Sequence, residues 1–147
     1  MYFSYEDELA WGNLWLFKAT GQESYLENAK TLVAEHEFLQ ENPKIFNVDT
    51  KVAAVQLLLA LQETKEETDF FAKIENFCNF YKDDVPKTTK GLAYPTEFAA
   101  TGVAASSAYL CILAAQKLPK VKTGKRFSSK YPVIFCDFGF LKLQNKG

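Results

Sequence analysis

Two stretches of the chain, VAAVQLLLALQ from Val52 and FAATGVAASSAYLCILAAQ from Phe98, have apolar or small residues on nearly every side of a predicted helix. A helix of this kind cannot lie alone in solvent, so other helices must cover it. Two further stretches, beginning near Ser24 and Thr68, are amphipathic and have their charged residues on the face away from an apolar stripe. The sequence therefore predicts inner and outer helices in alternation.

Capping residues, glycines and prolines set the predicted boundaries. The first helix is predicted to begin at Ser4, which can cap it with Asp7 at the third helical position, and to end at Gly21. Its aromatic residues, Trp11 and Trp15 among them, predict that this helix is interior. The other predicted helices run from Ser24 to Asn42-Pro43, from near Asp49 to Gln62, from around Thr68 to Pro86, and from Phe98 to just before Pro119.

The repeating unit of this pattern is a helical hairpin. The inner helices begin near residues 5, 49 and 97, which gives a period of roughly 45 residues. Such hairpins cannot bury their inner helices alone and must stack into a solenoid or close into a ring. Inner helices that run in the same direction bring their N-termini to one rim. The sequence therefore predicts an all-α fold with a functional rim formed by the residues around Asp7, Glu8, Asp49 and Phe98.

Composition excludes several classes of partner. The 147 residues are 48% hydrophobic, enough for one domain with a core, and 17 basic residues nearly balance 18 acidic ones. We therefore expect no nucleic-acid partner, and no apolar run is long enough to predict a membrane span. The opening residues, MYFSYEDE, have neither a basic region nor an apolar one, so we expect no export signal in this chain.

Few side chains outside the rim suggest chemistry. The three cysteines, Cys78, Cys111 and Cys136, are unevenly spaced, and the prediction is that they are small buried hydrophobic residues rather than a disulfide framework or a zinc site. The single histidine, His36, lies between glutamates and is predicted to be a solvated surface residue. Residues 119–147 are interpreted as a basic linker followed by an apolar tail of unknown structure.

Three ordered blocks of sequence resemble one family. They are YEDELAWGNLWLFKATGQESYL, FNVDTKVAAVQLLLA and TTKGLAYPTEFAATGVAASSAYLCILAA. They resemble the Tyr-x-Asp-Glu-Leu-x-Trp-Gly, Trp-Asp-x-Lys and Gly-Leu-x-Tyr-x-x-x-Trp-Gly blocks of the family nine glycoside hydrolases, the endo-β-1,4-glucanases or cellulases. The resemblance covers roughly residues 4–118. It implies part of an (α/α)6 barrel of six helical hairpins in residues 1–118, with residues 119–147 unmatched.

The resemblance also implies an activity. Members of the family hydrolyse internal β-1,4-glucosidic bonds of cellulose with inversion and act outside the cell. Their general base belongs to an Asp-Ala-Gly-Asp segment and their general acid is a Glu near the C-terminus, and neither segment occurs in this sequence. We therefore expect this chain alone to be inactive. The alternative is a non-enzymatic helical-hairpin domain that binds glycan or protein through an open edge, which is also expected to promote self-association.

The adjacent carboxylates at the first helix have two interpretations. Asp7 and Glu8 can cap the helix and offset its dipole without any ligand. The resemblance instead implies a structural calcium ion held by Asp7, Glu8 and Asp49, and oxygen ligands of this kind suit calcium. A catalytic pair is disfavoured, because adjacent residues cannot lie on both sides of a glycosidic bond. The expected substrate contacts are rim aromatics: Phe98, which stands where the family has Trp, together with Tyr94 and Tyr2.

Overall fold

The computed structural model of the chain describes residues 5–62 and 69–118. These residues form five α-helices and two shorter helical segments, joined by loops. A single isolated bridge pairs Lys87 with Ala93, and the described residues form no named strand. The elements, in order, are α1 (Glu6–Thr20), α2 (Glu23–Glu35), a 3-10 helix (Glu37–Gln40), α3 (Val52–Ala60), α4 (Asp69–Asn79), a π-helical turn (Phe80–Asp84) and α5 (Ala100–Lys117).

The helices pair as predicted. α1 packs against α2 and α3 packs against α4, while α3 also contacts α1 and α5. Every residue of α3 is buried, which confirms that it is an inner helix. Two clusters of buried side chains meet along it, one shared with α1 and α2 and the other with α4 and α5. The arrangement is an arc of helical hairpins centred on α3.

Two predicted boundaries are wrong, each for a local reason. The second helix does not continue to Asn42-Pro43, because His36 is extended and a 3-10 helix follows, which buries Leu39 completely. The third helix begins three residues later than Asp49. The side-chain oxygen of Asn47 accepts the N–H groups of Asp49 (2.9 Å) and Thr50 (3.1 Å) and holds these residues in a turn. Asn47 therefore delays the helix and shapes the rim in front of α3.

The prediction that α1 is interior is only half correct. Its side toward α2 and α3 buries Ala10 and Leu14. On its other side, Leu9 and Leu16 are exposed, and Trp15 retains 45% of its accessible surface. α1 is therefore an inner helix that the described residues cover on one side only. Its other side is an apolar surface that no described residue covers.

The prediction for Cys78 and Cys111 is correct in their burial and wrong in excluding a disulfide. Both side chains are buried, but they form a disulfide that joins α4 to α5. The Cα atoms are 5.6 Å apart, although the residues are separated by 33 positions in the sequence. Sequence spacing could not reveal this pairing, because it depends on the way α4 and α5 lie side by side. Cys136 lies outside the described residues.

The buried side chain of Gln56 forms hydrogen bonds between α3 and the chain segment that contains Leu39 and Glu41. Gln56 is fully buried in the middle of α3, and its amide donates hydrogen bonds to the carbonyl oxygens of Leu39 (3.0 Å) and Glu41 (2.7 Å). Buried carbonyl groups need such partners, and each bond contributes about 1 kcal/mol to stability. Gln56 thus fixes the path of the chain between the 3-10 helix and the rim.

Candidate functional site: the rim at the start of the inner helices

The N-termini of α1 and α3 meet, as the sequence predicts. Asp7 lies in the first turn of α1, is only 2% exposed, and accepts the backbone N–H of Lys51 with its Oδ2 atom at 2.6 Å. Lys51 is the residue just before α3. The hydroxyl of Ser106 in α5 donates to the carbonyl oxygen of Phe46, so the loop before α3 is held from both sides.

Asp7 accepts N–H groups at the starts of two helices. Its Oδ1 atom accepts the N–H of Glu8 in α1 at 3.1 Å, and its Oδ2 atom accepts the N–H of Lys51 before α3. The residue before α1 is Tyr5, whose own side chain makes no cap hydrogen bond. The predicted cap, Ser4, lies outside the described residues. The Asp7 carboxylate also lies at the positive dipole end of α3 and stabilises it. The capping interpretation of Asp7 therefore agrees with its contact in α1, and the same carboxylate extends this role to α3.

Glu8 has one partnered and one unpartnered oxygen. Its Oε1 atom lies 3.5 Å from the Nζ atom of Lys51. Its Oε2 atom is buried and has no hydrogen-bond partner among the described residues. The neighbouring Asp7 carboxyl group, followed by burial, raises the pKa of Glu8 above its usual value, and Lys51 opposes the rise. A cation near a carboxyl group favours its ionised form.

Lys51 supplies such a cation. Its Nζ atom donates to the carbonyl oxygens of Asn47 (3.0 Å) and Val48 (2.7 Å) in addition to its contact with Glu8. These contacts hold the turn before α3 against α1. This lysine belongs to the VDTK segment of the second block, but no role for it was predicted from the sequence. Its role becomes visible only in the structure, where its Nζ atom lies between Glu8 of α1 and the carbonyl oxygens of the turn before α3.

Asp49, the third predicted metal ligand, lies apart from this arrangement. It is exposed, and one of its carboxylate oxygens accepts the side-chain amide of Asn47 at 3.3 Å. Across residues 5–62 and 69–118, no three side chains of His, Cys, Asp or Glu form a group that could hold a metal ion. The structure therefore brings Asp7 and Glu8 together with Lys51, and it places Asp49 at the adjacent surface.

The oxygens at this end of α1 are of the kind that calcium binds, although the described side chains form no complete metal-binding group. The unpartnered Oε2 atom of Glu8 is an anionic acceptor that the described residues leave unsatisfied. Two backbone carbonyls, from Asn47 and Val48, already point at one positive charge. Carboxylate and carbonyl oxygens are the ligands that calcium prefers.

The predicted substrate-binding aromatics lie at the start of α5. Phe98 is 88% exposed and Tyr94 is also exposed, whereas Tyr2 lies outside the described residues. Ala99, which follows Phe98 directly, has a φ of 53°, a left-handed conformation that costs a residue with a side chain about 1 kcal/mol. The side chain of Thr96 donates to the carbonyl oxygen of Phe98 and supports this bend. The ring of Phe98 thus stands in solvent at the rim, available for contact.

Arranged in this way, a buried inner helix, outer helices packed against it and a rim of carboxylates and exposed rings define part of a helical-hairpin barrel. The sequence matches the family model for "Glycosyl hydrolase family 9" over residues 1–133. The chain belongs to this family. The match also reaches beyond residue 118, where the resemblance of the quoted blocks ends.

Individual relatives agree with this assignment. The chain is 29% identical over 136 residues to Endoglucanase A of Bacillus pumilus, a match that covers 85% of this chain and 20% of that protein. It is 37% identical over 76 residues to Endoglucanase 18 of Arabidopsis thaliana, covering 50% of this chain and 15% of that one. The structure superposes on an endoglucanase from the termite Nasutitermes takasagoensis with a TM-score of 0.71 and 30% identity, over 87% of this chain and 29% of the other.

These comparisons establish the fold class. The described residues are part of an (α/α)6 barrel, because they follow a family member of known structure closely. The chain spans about one fifth of the length of Endoglucanase A and less of Endoglucanase 18.

Proposed function

We propose that this chain contributes part of the barrel and of the substrate rim of an endo-β-1,4-glucanase that cleaves cellulose with inversion. Family membership is the observation that supports this proposal most strongly. An inverting glycosidase needs two carboxylates about 6.5–9.5 Å apart, on opposite sides of the scissile bond. Asp7 and Glu8 are adjacent in sequence and are engaged with Lys51. The acid and the base therefore belong to other parts of such an enzyme.

The role of this chain in catalysis is to hold and orient glucan. The exposed ring of Phe98 is available to pack on the apolar face of a glucose unit, and Tyr94 lies a few residues before it. The disulfide and the Gln56 hydrogen bonds keep the underlying helices rigid. A rigid support matters, because a loosely held ring would lose entropy on binding.

Replacing Phe98 with Ala is expected to weaken binding of cellohexaose by about fivefold to tenfold, because an aromatic contact of this kind is worth about 1 kcal/mol. Chemical shifts of backbone amides near the start of α5 would measure the binding. Tyr109→Ala is the matched control, since Tyr109 is an exposed aromatic on α5 outside the rim. Equal affinities for the wild-type and Phe98→Ala chains would remove Phe98 from the proposed substrate contacts.

We propose further that calcium binds at Asp7, Glu8 and Asp49 and stabilises the rim. The unpartnered Glu8 oxygen and the nearby carbonyl groups support this proposal. The residues present would hold the ion between the first turn of α1 and the turn before α3. When bound, the ion would supply positive charge and would crosslink the two segments.

Calcium is therefore expected to raise the melting temperature of the chain, and at a hundredfold excess over its Kd it would stabilise the fold by about 2.7 kcal/mol. Asp49→Ala should abolish this response. Asp83→Ala is a matched control, because Asp83 is an exposed aspartate that pairs with Lys82 far from the rim in sequence. Thermal unfolding of the three chains with calcium and with chelator measures the effect. Identical curves throughout would return Asp7 and Glu8 to the role of helix caps.

We also propose an extracellular location for the protein. The disulfide between Cys78 and Cys111 supports it, because such bonds persist in oxidising compartments and are rare in the cytosol. No helix of residues 5–62 and 69–118 is long and apolar enough to cross a membrane.

The open edge of the arc favours association. Leu9, Trp15 and Leu16 on α1 are large, apolar and exposed. In a complete barrel a neighbouring inner helix would cover such a face. We propose that the isolated chain self-associates through this edge, since burial of apolar surface drives association in water.

A further inference from the structure

A groove of about 580 Å³ lies between the loop before α3 and the C-terminal end of α4. Its volume is within the range of about 300–1,000 Å³ that is typical of sites for small ligands. The loop continues into the turn that Asn47 holds, so one wall of the groove leads along the chain to the rim. Five polar side chains and one aromatic ring line the groove: Asn42, Lys44, Asn76, Asn79, Asp84 and Phe80.

The two walls of the groove are joined by a hydrogen bond from the core. The Tyr81 side chain is 1% exposed, and its hydroxyl donates to the carbonyl oxygen of Lys44 at 2.9 Å. The π-helical turn after α4 is closed by the N–H of Val85, which donates to the carbonyl oxygen of Phe80 at 2.8 Å. Turns of this kind are rare and are found frequently at functional sites. The groove is therefore formed before any ligand binds.

The charges around the groove favour a neutral ligand. Lys44 and Asp84 carry opposite charges, and the neighbouring Lys82 and Asp83 pair with each other at 3.1 Å. An ion would be attracted by one charged group of the groove and repelled by the other. The other polar side chains are amides, which both donate and accept hydrogen bonds. Hydroxyl groups have the same two capacities, so these amides suit a ligand that is rich in hydroxyl groups.

The ring of Phe80 adds an apolar surface to the groove. It is half-buried and packs edge-on against the ring of Tyr81, with 5.3 Å between the centroids, so its orientation is fixed. The exposed ammonium group of Lys44 lies 5.4 Å from the Phe80 centroid, where it can donate to a ligand hydroxyl. A pyranose sugar has hydroxyl groups at its edge and C–H groups on its faces. Amides beside an aromatic ring therefore match both parts of a sugar.

We infer that this groove is a second glucan-binding site, separate from the rim aromatics around Phe98. The identity of the sugar rests on the proposed function, whereas the site rests on the residues of the groove. Two sites on one chain strengthen attachment to a polymer, because binding at one site raises the effective concentration of glucan at the other. The groove therefore helps to keep the protein on its substrate.

Titration of the 147-residue chain with cellohexaose, followed by backbone amide chemical shifts, tests this site. Amides within residues 42–44 and 76–84 are expected to shift and to saturate. The double variant Asn42→Ala with Asn76→Ala is expected to weaken this binding by about tenfold, because it removes two hydrogen-bonding groups. Asn28→Ala is the matched control, since Asn28 is an exposed asparagine on α2. It should bind like the wild-type chain.

A second measurement uses only the wild-type chain and does not depend on whether the variant folds. Glycerol, supplied at the same concentration of hydroxyl groups as cellohexaose, has no sugar ring to pack against Phe80. It is expected to leave the amides of the groove unshifted. Equal shifts with glycerol and with cellohexaose would overturn the assignment of the groove to a sugar.

The outcomes separate this inference from the proposed function. Cellohexaose shifts confined to residues 94–100 would overturn the second site and leave the rim contacts in place. Shifts in the groove that the double variant does not weaken would also overturn it. In the Phe98→Ala chain, the groove is expected to keep its affinity for cellohexaose, which would show that the two sites are separate. The absence of any shift in the wild-type chain would overturn both proposals.

Discussion

Reduction of the disulfide between Cys78 and Cys111 is expected to lower the free energy of unfolding by about 4 kcal/mol. The bond closes a loop across a separation of 33 residues, and a crosslink over this length restricts the unfolded chain by about that much in the chain-entropy treatment. The total stability of a domain is about 5–15 kcal/mol, so the loss would be a large fraction of it. The disulfide joins α4 to α5, and its loss would loosen the cluster that these helices share with α3.

Urea unfolding with and without dithiothreitol measures this effect. The double variant Cys78→Ala with Cys111→Ala should unfold like the reduced wild-type chain and should no longer respond to the reductant. Cys136→Ser is the control, because it changes the third cysteine and leaves the disulfide intact. A wild-type chain whose midpoint does not move on reduction would show that the bond contributes nothing to stability.

The sequence was sufficient for the helices and for their alternation. The apolar stretch of α3 has no polar face, so burial on all sides follows directly from its residues. Gly21 ends α1 as predicted, with a left-handed φ of 71° and an N–H bonded to the carbonyl oxygen of Phe17. These features depend on neighbours in sequence, and local patterns describe such features well.

Contacts between residues that are far apart in sequence were not predictable from local patterns. The pairing of Cys78 with Cys111 requires two helices to lie side by side at one particular height. Trp15 is exposed because no described residue covers that side of α1. The sequence of the helix alone cannot indicate which of its sides is covered. An aromatic helix therefore indicated an inner position correctly but could not indicate that one of its sides is open.

Contacts at the rim were likewise only partly predictable from the sequence. The sequence predicted that Asp7 lies near the start of the third helix, and the hydrogen bond from the N–H of Lys51 confirms that the two segments meet. It did not predict that the lysine side chain lies among the carboxylate and carbonyl oxygens. That contact depends on the turn that the Asn47 side chain holds. This turn stands where the first turn of the helix was predicted.

The isolated 147-residue chain is expected to show no measurable hydrolysis of carboxymethylcellulose. The Asp-Ala-Gly-Asp segment that the family uses for its base does not occur in this sequence. Losing one general acid or base typically lowers the rate by a factor of about 100 to 10,000, and the loss of both groups leaves no route for the inverting reaction. The chain would then bind glucan weakly through its rim without cleaving it.

Release of reducing sugar from carboxymethylcellulose, measured across the chromatographic peak of the purified chain, shows whether this chain carries the residues that cleave glucan. The account predicts a background rate for the 147-residue chain and turnover only for a longer protein that also supplies the Asp-Ala-Gly-Asp segment and the C-terminal Glu. The variant with Asp7→Asn and Glu8→Gln is the matched control, and it should be indistinguishable from the wild-type chain. Turnover that follows the purified chain through the peak would contradict this prediction, and its loss in a double variant that remains folded would make Asp7 and Glu8 the catalytic pair.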